Sequence, residues 1–138
     1  MLFLYLLPLI SSKVLYSSIS FTNSGFWQEI SSFGSDIGVG NFSIASRLLN
    51  PVNDESQIKV SVALYVASKW NEELLNAPCD KRLNLASSVY EISIPRNGKW
   101  SKRTGGRLIQ KTAPQVWYFA LADCSNSLKD KSLELYFS

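Results

Sequence analysis

The segment from Ile58 to Val66, Ile-Lys-Val-Ser-Val-Ala-Leu-Tyr-Val, constrains the fold more than any other part of the chain. Its large aliphatic residues fall on every second position, and successive side chains of a strand point to opposite faces of a sheet. A helix would scatter these residues around its circumference, so the segment is expected to be a half-buried strand. The same period returns at Tyr90, Ile92 and Ile94, at Leu133, Leu135 and Phe137, and at Phe42 and Ile44 after Gly38 and Gly40. Trp27, Ile30 and Phe33 are assigned to a first strand, although their spacing of three also suits a helical turn. Val116 to Ala122 is apolar on both faces, which predicts a central strand packed on each side, with Trp117, Tyr118 and Leu121 in the core.

One stretch breaks the pattern. Residues 68–78, SKWNEELLNAP, offer Ser68 as an N-cap, Trp70 and Leu74 four apart, two glutamates near the positive end, and Pro78 as a stop. Turn-rich stretches lie at Pro51–Asp54, Pro95–Gly98 and Gly105-Gly106. Six or so short strands with such punctuation predict an all-β, antiparallel β-sandwich with one short helix. At 138 residues, without internal repeat or linker, the chain is expected to form one domain.

The N-terminus reads MLFLYLLPLISSKVLYSS. The apolar run from Leu2 to Ile10 is far shorter than the roughly 20 residues that span a bilayer. It predicts a secretory signal peptide over residues 1–17, with Ser12 and Ser17 as cleavage positions, leaving a domain over 18–138. A buried N-terminal strand and an uncleaved anchor are the alternatives. Export gives meaning to Asn41-Phe42-Ser43, an N-glycosylation acceptor sequence. It also favours one disulfide between Cys79 and Cys124, against two unpaired buried thiols.

Catalytic signatures are missing. The chain has no histidine, which removes Ser-His-Asp and Cys-His nucleophilic sites and the commonest metal ligand. The paired acids Asp54-Glu55 and Glu72-Glu73 fall in turn or helix-surface settings, and Asp123 reads as a strand-end carboxylate near the surface. The expectation is a binding protein with no catalytic residue, metal or cofactor.

Charge is unevenly spread. The net charge is +3, and Arg96 to Lys111 holds six cations and no acid. Within that run Lys99, Trp100, Lys102, Arg103 and Arg107 form a candidate contact surface for an anionic ligand, a lipid headgroup or a sulfated glycan. A solvated loop without a fixed partner is the plainer reading. Nucleic acid is not expected for a lumenal chain.

The motif QVWYFALADC, followed by a polar turn and SLELYFS, resembles the end of the lumenal domain in intimal thickness-related receptor-like proteins, within the Golgi-dynamics-domain seven-transmembrane group. Trp117, Tyr118, Ala120, Leu121 and Cys124 carry the first element, and Leu133, Leu135 and Tyr136 approximate the second. Upstream, Leu64, Tyr65, Trp70 and Cys79 match a strand, a tryptophan and a cysteine. Trp27, Ile30, Phe33, Gly38 and Phe42 resemble the opening segment. The likeness covers residues 26 to 137, with the final strand and its cysteine the most specific part. It implies a GOLD-like β-sandwich, a disulfide pinning the penultimate strand, and a lumenal or extracellular position at the Golgi or plasma membrane. It also implies a seven-helix membrane domain, with receptor-like roles in G-protein-coupled signalling or trafficking. The sequence departs from this pattern by ending at Ser138, where a first transmembrane helix is expected. The implied role is to bind a protein, glycan or lipid-headgroup ligand for that receptor. The alternative is a stand-alone secreted β-sandwich that binds a glycan or an anionic surface.

Overall fold

The computed structural model describes residues 15–22, 24–35, 38–110 and 115–138, with the side chains of 33–39 and 109–115 excepted. Eight strands follow in order: β1 Leu15–Phe21, β2 Phe26–Ser35, β3 Gly38–Leu48, β4 Gln57–Val66, β5 Ser88–Pro95, β6 Thr104–Gln110, β7 Gln115–Asp123 and β8 Lys131–Phe137. They form two four-stranded sheets, β1-β8-β3-β6 and β2-β7-β4-β5, and every pairing is antiparallel. The all-β sandwich expected from the alternation is the observed architecture.

The core lies between the sheets. Ile58, Val60, Val62 and Leu64 face inward from β4, Ile92 and Ile94 from β5, and Leu133, Leu135 and Phe137 from β8. Each such side chain contributes roughly 1.5–3 kcal/mol through burial. Phe42 from β3 meets the rings of Phe119 and Phe137 at centroid distances of 4.9 and 6.4 Å, joining the two sheets. β7 is central, between β2 and β4. Its Phe119 and Leu121 enter this core, while Ala120 and Tyr118 point the other way into a second cluster. The two-faced apolar pattern of Val116 to Ala122 reports that double burial.

Helices cover part of the outer face of the second sheet. A 3-10 turn spans Ala67–Lys69, followed by α1, Glu72–Asn76, and α2, Cys79–Asn84. Two short helices therefore stand where one was expected, and Ser68 is not the cap. Asn71 caps α1 instead, its side-chain oxygen accepting from the Leu74 N–H at 3.2 Å. Pro78 stops α1 and also serves as the N-cap residue of α2. Beneath them Arg82, Trp27, Trp70 and Tyr118 form one stack. The Arg82 guanidinium lies 4.5 Å from the Trp27 centroid, and the ring centroids follow at 5.2 and 4.5 Å. The Tyr65 hydroxyl accepts from Trp27 Nε1 and donates to the Arg82 carbonyl at 2.6 Å.

The disulfide joins Cys79 to Cys124, with Cα atoms 5.5 Å apart. It ties the start of α2 to the end of β7, so the two-thiol alternative is set aside.

Two further features depart from the sequence expectations. Gly105 and Gly106 lie inside β6 rather than in a turn. A Cβ on Gly105 would run into the Phe42 carbonyl oxygen, and one on Gly106 would come within 2.6 Å of the Tyr90 hydroxyl. The glycines are there for close approach. The Arg96–Lys111 run is not one solvated loop, since its second half is β6. The leader expected over residues 1–17 lies outside the described residues up to residue 14. Leu15, Tyr16 and Ser17 begin β1, paired with Phe137, Tyr136 and Leu135. No helix among the described residues is long and apolar enough to cross a membrane.

Candidate functional site

The outer face of the first sheet carries the site. On β3 the residues alternating with buried Phe42, Ile44 and Leu48 are Asn41, Ser43, Ala45 and Arg47. The register sets Ala45 beside Tyr136, and Tyr136 beside Tyr16. This places an aromatic pair on the sheet surface, with centroids 4.9 Å apart and edge-on geometry. Tyr16 is 62% exposed.

A loop forms the opposite wall. The Ser101 N–H donates to the Ser46 carbonyl at 2.8 Å, and the Ser46 N–H donates to Ser101 Oγ at 3.0 Å. This clamp holds the segment from Trp100 to Arg103 against β3 just before β6 begins. Tyr16, Ala45, Trp100, Ser101, Arg103 and Tyr136 enclose an open groove of about 380 Å³.

Two arginines play different parts here. Arg47 is bound to Glu134, Nη2 to Oε2 at 2.9 Å, and its guanidinium lies 5.3 Å from the Trp100 centroid. Its charge is matched, and it braces the indole. Arg103 packs on Tyr136, Cζ at 4.3 Å from the centroid, and Nη1 donates to the Tyr136 hydroxyl at 3.2 Å. No described carboxylate lies within ion-pair distance of Arg103; the pairs seen are Arg47–Glu134 and Lys59–Glu91. A hydrogen bond with the Ser138 side chain, helped by the bond to Arg103 and its charge, lowers the Tyr136 phenol below its ordinary value of 10.0.

The structure thus sorts the sequence candidates. Trp100 and Arg103 line the groove. Lys99 and Lys102 are exposed on the same loop without lining it, and exposed Arg107 lies farther along β6, opposite Asn41. Asn41 is also exposed on this face. Tyr16, Ala45 and Arg47 were not singled out from sequence, and Tyr136 only as part of a strand motif. Tyr16, Ala45 and Tyr136 reach the groove through the strand order β1-β8-β3, which no local pattern encodes, and Arg47 lies behind Trp100.

The acidic candidates do other work. Asp123 is only 3% exposed, so it is buried rather than near the surface. Its carboxylate accepts the N–H groups of Ser127 and Leu128 at 3.1 and 2.8 Å, closing the turn into β8. Glu72 and Glu73 lie exposed in the first turn of α1. The Asp54 carboxylate accepts the Ser56 N–H at 2.8 Å, and that bond lowers its pKa. Among the described residues no group of three or more acids, cysteines or histidines could hold a metal ion.

No protein-family model and no curated protein matches the chain. Among solved structures it is similar to the EclA C-terminal domain, a sugar-binding protein, at a TM-score of 0.44 and 10% identity, over 94% of this chain and 81% of that one. A likeness of this extent does not transfer the neighbour's ligand.

Proposed function

We propose that this chain is a non-catalytic binding domain of the secretory pathway, and that it holds a negatively charged ligand in the groove between Trp100 and Tyr136. The observation that carries this reading is Arg103, a cation without a described acidic partner, set among aromatic rings in a recess. Arg103 is exposed, so its charge is open to an anion from solvent, and aromatic walls add contact area at small entropic cost. The disulfide supports an oxidising compartment, and exposed Asn41 is accessible to glycosylation there. The test is retention on immobilised heparin as a generic polyanion. Replacing Lys99, Lys102, Arg103 and Arg107 with Ser should move elution to markedly lower salt. Unchanged elution would return these cations to the role of a solvated surface.

The residue-level likeness between 26 and 137 supports a second part of the proposal, in which the domain faces the lumen as the ligand-binding part of a seven-helix receptor-like protein. Reading the coding sequence beyond Ser138 decides it. Apolar segments long enough to span a bilayer support the receptor, and a stop codon leaves a secreted binding module.

A further inference from the structure

We propose that the ligand is an acidic pyranose, a sugar ring bearing a carboxylate as in uronic acid chains. This rests on the binding surface proposed above and adds the chemistry of what fills it.

Arg103 argues for the carboxylate. The guanidinium is planar, and its fork of N–H groups matches the two oxygens of a carboxylate. Here the Tyr136 ring fixes the plane, and Nη1 is committed to the Tyr136 hydroxyl. No described partner engages Nε or Nη2, so that edge can meet a ligand in a set orientation. Such fixing reduces the rotamer freedom lost on binding.

The walls argue for a ring. Trp100 is 40% exposed and Tyr16 62% exposed, one on each side of the Ala45 floor. The C–H face of a pyranose is flat and apolar and packs on such rings, while its hydroxyls remain in water at the open side. About 380 Å³ falls at the small end of the range for ligand pockets. Arg47 acts as a positioning residue, since its charge is already matched by Glu134 and its guanidinium lies against the indole.

A membrane surface fits less well. Interfacial binding inserts aromatic and aliphatic side chains together at the acyl boundary, and the groove offers only aromatic ones, Trp100 and Tyr16. The exposed aliphatics Leu49, Val52, Leu75, Val89 and Val116 are absent from the groove lining, and the last three belong to α1 or to the second sheet.

The test uses the disulfide-bonded protein with β1, Leu15–Phe21, and its Tyr16 retained, in calorimetric titrations. The probes are tetrasaccharides of oligogalacturonate and of hyaluronan, their methyl esters, and vesicles of equal parts phosphatidylserine and phosphatidylcholine. At least one free acid should bind about tenfold more tightly than its ester. Arg103→Gln should remove that difference, Trp100→Ala should weaken acid and ester together, and Lys59→Gln on the second sheet should change neither. Equal affinity for acid and ester, or an unaltered difference in Arg103→Gln, overturns the carboxylate assignment. Vesicle binding without oligosaccharide binding overturns the sugar while leaving an anionic-ligand domain. Failure of every probe, heparin included, overturns both readings.

Discussion

Replacing both cysteines with serine tests how the fold is held together. The bridge spans a sequence separation of 45. Closing a loop of that length removes about 13 cal/mol/K from the unfolded chain, or about 4 kcal/mol at room temperature. For a domain whose total stability is of order 5–15 kcal/mol, that is a large share. Urea unfolding followed by tryptophan fluorescence is the direct assay. With a slope near 2 kcal/mol/M, the Cys79→Ser/Cys124→Ser midpoint should fall by about 2 M. The slope should rise, because the unfolded chain without a cross-link exposes more surface. A loss below about 1 kcal/mol would refute the loop-closure reasoning. A changed fluorescence spectrum before any urea is added would refute it differently. It would show that the bridge acts in the native state, by keeping α2 and Arg82 over Trp27.

Three further outcomes follow from particular residues. Gly105→Ala should cost about 2 kcal/mol or more, measured by the same unfolding assay, because the added methyl meets the Phe42 carbonyl across the ladder. Burial holds the Tyr65 phenol above its ordinary value of 10.0, outweighing the bond from Trp27 and the Arg82 charge that pull it down. Its contribution is therefore complete below pH 10 and is lost as pH rises through the higher folded value; stability should fall on that alkaline limb, less steeply in Tyr65→Phe. For Asn41, material secreted from a glycosylating host should lose mass on glycosidase treatment, and Asn41→Gln should abolish the shift.

Strands announced themselves wherever one face is apolar and the other polar, as in Ile58 to Ser61, because alternation is a direct record of one-sided burial; farther along β4 the half-buried expectation fails, since Ala63 and Tyr65 are buried in the second cluster. The same rule exposed β7, whose two apolar faces meet two different clusters. It failed where another signal competed. Leu15, Ile19 and Phe21 share one face of β1, but Ser17 interrupts the apolar series, and the run Leu2–Ile10 just upstream draws Leu15 to Ser17 into the expected leader. In β6, Gly105-Gly106 carries the mark of a turn, and only the neighbouring Phe42 and Tyr90 explain why side chains are excluded. The second helix lacks an apolar stripe, and the disulfide and the Arg82 stack hold it in place. The site was half legible. Trp100 and Arg103 stand in one cationic run, whereas Tyr16 and Tyr136 are far apart in sequence and meet only through strand pairing.

The pairing of Leu15 with Phe137 has a mechanical consequence. The two described ends of the sandwich leave from the same end of adjacent antiparallel strands. A load drawn between them would part β1 from β8 like a zipper, breaking ladder bonds in succession rather than shearing them all at once. Tyr16 and Tyr136 are the second pair in that line. Tension would dismantle the groove before it reached the core, so a ligand held there would be released while the sandwich beneath it remained folded.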